Sequence, residues 1–166
     1  DTLTGGGGVN MFDFNHNGSD KDTITDFVTT TDKLSFDGIG TTGGGAITVT
    51  GGTNITAGDV TAGNVIDNVA FVIDDGATAL TSGGTAAITD YTDLADVASY
   101  LGEGYDATAA NDAAVFVIND LTSDKAYIYL FDEKAGSAST IEQADISLVG
   151  VVIETNGNPL VAGDIA

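Results

Sequence analysis

The sequence predicts a mainly β fold with one short helix, and three observations carry that prediction. Glycine is frequent and proline nearly absent, 23 against 1, so many turns take positive φ and long helices are disfavoured. The acidic residues are almost all Asp rather than Glu, and Asp suits turns while Glu suits helix interiors. Apolar residues alternate over short stretches bounded by Gly, Asn, Asp and Thr. With 166 residues, 42% hydrophobic and 17% charged, one core-forming domain is expected.

In chain order, residues 1 to 40 are dense in Gly and Asp. Residues 41 to 84 are rich in Thr, Gly and Val, and Ala46-Ile47-Thr48-Val49-Thr50 and Val69-Ala70-Phe71-Val72-Ile73 read as strands between glycine turns. A helix is predicted over about 93 to 101: Leu94, Val97, Ala98 and Leu101 recur at helical spacing, Thr92 or Asp93 can cap the start, and Gly102 can stop it. Ala113 to Ile118 and Ala126 to Phe131 read as a hairpin across the polar turn Asn119 to Asp124. Ile146 to Ile153 reads as a further strand, and Asn156-Gly157-Asn158-Pro159 turns the chain toward Leu160-Val161-Ala162.

Four Lys and no Arg against 25 Asp plus Glu give a net charge of −21. That sign repels phosphate backbones and anionic headgroups, so neither nucleic acid nor a membrane surface is an expected partner. No apolar run reaches the roughly 18 residues of a spanning helix, and no basic flank leads into an apolar stretch at Asp1-Thr2-Leu3, so no cleavable leader is expected. There is no Cys and a lone His16, which excludes a disulfide framework and a His-rich zinc site within one chain. Short Asp carboxylates in turns suit hard, oxygen-coordinated cations, with Ca2+ first among them.

Two overlapping motifs point the same way. Gly5-Gly6-Gly7-Gly8-Val9-Asn10-Met11-Phe12 fits the nonapeptide G-G-x-G-x-D-x-U-x, with Asn10 on the acidic and Phe12 on the apolar position. In that pattern glycines allow a tight turn with inward carbonyls, the acid adds charge, and the apolar residue starts a short strand facing a roll interior. Asp1 and Leu3 match the corresponding positions of a preceding turn. Asp13-Phe14-Asn15-His16-Asn17-Gly18 fits D-x-[DN]-x-[DN]-G, the opening of an EF-hand loop. Ile24 stands where that loop needs its bidentate Glu and Asp20 stands at its aliphatic position, so a true EF-hand is not expected.

On these residues the chain resembles the RTX family, the calcium-binding repeats-in-toxin proteins exported by bacterial type I secretion. Gly18-Ser19-Asp20-Lys21-Asp22-Thr23-Ile24-Thr25-Asp26-Phe27, followed by Asp32-Lys33-Leu34-Ser35-Phe36, resembles the segment that closes such rolls. The resemblance implies that residues 1–40 are the end of a parallel β-roll with calcium-binding turns. Residues 41–166 are then a β-rich, sandwich-like cap with one helix, similar to the C-terminal regions of surface-layer and adhesin-like proteins. Asp164-Ile165-Ala166 is similar to an uncleaved C-terminal export signal, which implies type I secretion machinery as a partner and an extracellular or cell-surface location. The expected Ca2+ ligands are Asp1, Gly5, Gly7, Asn10, Asp13, Asn15, Asn17, Asp20, Asp22 and Asp26. Asn10 in place of Asp removes one charge, and only about one and a half repeats are present.

Enzymatic readings find little support. No nucleophile elbow surrounds any Ser, and His16 lies among turn residues. Gly5 to Gly8 lacks the Lys-Ser/Thr and helix of a phosphate cradle. Asp74-Asp75 reads as turn or calcium residues rather than a glycosidase pair, and Tyr127 and Tyr129 share a strand face that can cover the helix. The sequence therefore predicts a non-enzymatic calcium-binding module. Its rivals are a self-assembling lattice or filament unit with calcium-bridged contacts, a possible homo-oligomer, and an adhesin's ligand-binding domain.

Overall fold

Why the long strands are buried on both faces is legible in β11, whose residues Ala113–Asp120 are apolar at six successive positions. A strand of that kind needs cover above and below. The computed structural model describes residues 1–14, 21–40, 46–47, 49, 51–58, 63–64, 68–106, 113–133 and 140–166. In chain order the strands are β1 (Thr2–Leu3), β2 (Met11–Asp13), β3 (Asp22–Phe27), β4 (Lys33–Ser35), β5 (Ile39–Gly40), β6 (Ala46–Ile47) and β7 (Gly52–Ile55). There follow β8 (Gly63–Asn64), β9 (Ala70–Ile73), helix α1 (Leu94–Gly102), β10 (Tyr105–Asp106), β11, β12 (Lys125–Asp132) and β13 (Ile146–Glu154). Seven strands make one mixed sheet in the order β1-β3-β13-β12-β11-β9-β7. The β11–β12 and β12–β13 pairs are antiparallel, while β13–β3, β3–β1, β11–β9 and β9–β7 are parallel.

Alternate residues of β11 feed two cores. Val115 and Val117 pack with Phe12, Phe14, Leu34 and Phe36, which the paired strands β2 and β4 bring over one face. Phe116 and Ile118 pack with Val97 and Leu101 of α1 on the other. Asp93 starts α1 by accepting a hydrogen bond from the Ala95 amide, and Val97, Ala98, Tyr100 and Leu101 form its buried face. Gly150 lets Phe14 lie against β13: a Cβ there would meet the ring at 2.5 Å.

The mainly β class, the single helix, the hairpin and the strand from Ile146 are as expected. Thr48 and Thr50 of the strand expected near 46–50 lie outside the described residues. Among the described residues, parallel pairs with both strands within residues 1–40 are β1–β3 and β2–β4 alone, and a parallel β-roll is not shown. The physical reason is that β3 has a second neighbour: it pairs with β13, so its Ile24 and Phe27 join the same core as Val149 and Val152. No described helix is long and apolar enough to cross a membrane.

Candidate functional site

The strand that leads into the glycine-rich turn lies beside a second strand of nearly the same sequence. Asp1-Thr2-Leu3-Thr4 and Asp22-Thr23-Ile24-Thr25 nearly repeat, and the fold stacks them in register, Thr2 on Thr23 and Leu3 on Ile24. The Thr4 and Thr25 hydroxyls are 2.8 Å apart, and Thr25 Oγ1 donates to the Leu3 carbonyl at 3.1 Å. The stacking continues beyond the turn, Phe12 on Leu34, at an offset one residue longer than that of β1 on β3. Thr30, at φ +69°, bends the longer turn.

Two carboxylates, one on β3 and one in the turn after it, hold the glycine-rich turn. Gly6 and Gly8 take φ of +74° and +103°, conformations that only glycine adopts without strain. The resulting turn aims the Gly5 and Gly6 amides at Asp26, which accepts them on separate oxygens at 2.8 and 2.7 Å. Asp32, 1% exposed, accepts from the Asn10 amide at 2.9 Å, from Asn10 Nδ2 at 3.1 Å and from the Val28 amide at 2.9 Å. Successive backbone N–H groups in a turn make an anion-binding concavity, and here the anion is the chain's own side chain. Each Asp26 oxygen keeps a second lone pair, and Gly6 is exposed beside it.

The expected ligands are thus separated. Gly5, Asn10 and Asp26 meet at the turn, with Gly7 exposed at its tip. Asp22 stands at the other end of β3, where it accepts from the Asp1 α-amino group at 2.7 Å, and the Asp1 side chain is 93% exposed. Asp13 is exposed at the end of β2. Asn15, Asn17 and Asp20, with His16, lie outside the described residues. Among the described residues no three or more His, Cys, Asp or Glu converge as a metal site would require. Asp32, which the sequence offers only as part of a closing segment, proves central to the turn. The near-repeat alone would set Asn10 against Thr31, and it is the one-residue-longer offset of β2 on β4 that sets Asp32 beside Asn10.

Other acids are consumed locally. Asp74 accepts from the Ala57 amide, and Asp75 from the Ala77 amide and the Thr78 hydroxyl. Asp120 closes the β11–β12 turn by accepting from the Thr122 amide and the Thr122 and Ser123 hydroxyls, and these bonds outweigh its burial to hold its carboxyl below the ordinary range. The tyrosines face the helix rather than solvent: Tyr91 stacks on Tyr127 with ring centroids 4.8 Å apart, and Tyr129 donates to the Tyr91 carbonyl at 2.6 Å. The final segment is packed down, with Ile165 bridging Leu34 and Asp164 fully buried while accepting from the Thr30 amide at 2.7 Å. Comparison with protein-family models, curated proteins and solved structures finds no match.

Proposed function

We propose that the chain is a non-enzymatic calcium-binding module of an extracellular bacterial protein exported by a type I machine, folding as Ca2+ binds. On this reading the two stacked parallel pairs are the end of a β-roll. The observation that carries it is the exposed glycine turn at Gly5 to Gly8, which follows a strand paired in register with β3 and lies beside Asp26 in a chain of net charge −21. Self-repulsion of that size opposes the compact state, and a bound divalent cation offsets it. A site occupied at a hundredfold excess over its dissociation constant contributes about 2.7 kcal/mol. Low free Ca2+ keeps such a chain extended and able to thread, and the higher Ca2+ outside a cell folds it. The absence of Cys agrees with a route that needs no oxidative step.

The test is a Ca2+ titration by circular dichroism, with Mg2+ as control and size measured in parallel. A cooperative gain of β signal at sub-millimolar to millimolar Ca2+, absent with Mg2+, is the expected result. A chain fully folded in chelator and indifferent to Ca2+ overturns the reading.

One observation favours self-assembly as a second reading. β1 is an edge of the large sheet, and nearby Val9 and Met11 are 79% and 68% exposed, a combination that suits edge-to-edge association. Monodisperse monomers at high Ca2+ exclude it.

A further inference from the structure

The last residues of the chain are held by a buried carboxyl that neither reading above uses. Glu154, at the end of β13, is 7% exposed. Its Oε1 accepts from the Leu160 amide at 3.2 Å, so the turn at Asn156 to Pro159 arches over it. Leu160 is clamped again by Asn119 of β11, which accepts from the same amide at 3.1 Å and donates to the Leu160 carbonyl at 3.0 Å. From Leu160 the chain runs on to Asp164 and Ile165, both buried.

The charge around Glu154 is of one sign. Asp124, in the turn between β11 and β12, and Asp164, in the final segment, both act on it as negative charges. Asn119 is neutral, and Phe27, its neighbour on β3, carries no charge. Among the described residues no ion pair joins Glu154 to a lysine. Lys33 donates to the Gly163 carbonyl instead. An ionised carboxylate here gives up water for a single amide donor and faces two like charges, whereas the protonated acid loses little by burial. Lifting residues 156–166 away returns Glu154 to water and takes Asp164 from its side.

We propose that Glu154 is a proton-operated latch: its protonated form holds residues 156–166 against β11 and β13, and its ionisation loosens them. The sign follows from linkage. Burial raises the closed-state carboxyl most, the Leu160 amide bond pulls it part of the way back, and Asp124 and Asp164 add to the rise, which takes it from 4.5 to about 7. Closure is therefore favoured fully below 4.5, weakens about tenfold per pH unit above it, and levels off once the pH has passed about 7. The chemical class of effector is the proton, and the responding element is a segment of this chain. The device stands whether or not the chain binds Ca2+.

The experiment is amide hydrogen exchange of the full chain by NMR between pH 5.5 and 7.5, each rate divided by its intrinsic value at that pH. Leu160 protection is expected to fall roughly twentyfold across that range in the unaltered protein and to stay within threefold in Glu154→Gln. Flat protection in the unaltered protein, or the same slope in the variant, overturns the proposal. To keep the test independent of whether Glu154→Gln folds, the Glu154 carboxyl carbon shift is followed with pH in the unaltered protein. A midpoint near 7 supports the latch, and one below 5 refutes it.

Discussion

Replacing Asp32 by Ala tests whether the chain's own carboxylates hold the glycine turn. The substitution removes the acceptor for three donors, the amides of Asn10 and Val28 and the Asn10 side chain, at 2.9 to 3.1 Å. A hydrogen bond to a charged group contributes about 1.5–3 kcal/mol, and a buried donor left unsatisfied adds its desolvation cost. Asn10 is only partly buried and water can reach it, so the three do not sum, and the expected loss is about 3–5 kcal/mol. For a chain of this size 1 kcal/mol moves Tm by about 2–4 °C, giving a drop of about 6–20 °C. Asp32→Asn keeps one acceptor but sets an NH2 against the Val28 or the Asn10 donors, and its Tm should fall between those of the parent and the Ala variant. Exposed Asp37→Ala is the control, expected within about 0.5 kcal/mol. Thermal unfolding is followed by circular dichroism in chelator and again in Ca2+. A Tm change under about 2 °C for Asp32→Ala in chelator would show that the turn holds itself, and the reasoning fails.

Two further outcomes are expected. Gly150→Ala sets a Cβ 2.5 Å from the Phe14 ring and 3.2 Å from Ile128, an overpacked contact that should cost about 1–3 kcal/mol by urea unfolding, whereas unchanged stability would mean Phe14 moves freely. Asp96 is held below its ordinary 3.8 by the Asp90 and Thr89 amides and the Thr89 hydroxyl. A lowered carboxyl contributes stability above its unfolded value that is lost as the pH falls through the folded one. The Thr89 amide shift should therefore move at a pH below 3.8, and a midpoint above 4 would contradict the bonding described.

Elements whose signal is local are legible in the sequence. The helix begins where Asp93 and the Leu94, Val97, Leu101 spacing place it, and the hairpin turn falls where the polar run from Asn119 to Asp124 interrupts two apolar ones. Strand partnership is not legible in the same way. Nothing near Thr23 announces that Val151 lies beside it, because a parallel strand advertises its apolar residues and not its neighbour. The site shows the same limit. Composition marks the carboxylates as turn residues, yet Asp26 serves amides 20 and 21 positions earlier in the chain, a distance over which short motifs carry no information. The near-repeat of Asp1 to Thr4 at Asp22 to Thr25 is the one long-range signal in the sequence. The Asp164-Ile165-Ala166 ending resembles an address, and in the folded chain Asp164 and Ile165 are core residues.

The pairing of β3 with β13 ties Thr23 to Val151, and Asp164 reaches back 134 residues to the Thr30 amide. Contacts of such separation close long loops, and their entropic cost falls due before their reward. The order of events during folding follows. The β11–β12 hairpin, whose partners are 5 to 19 residues apart, can form early with α1 against it, and the sheet then grows outward to β13. Residues 1 to 40 cannot complete their half of the core until the last twenty residues of the chain are present. During synthesis the glycine-rich segment thus stays without these partners until residues 146–166 have also emerged.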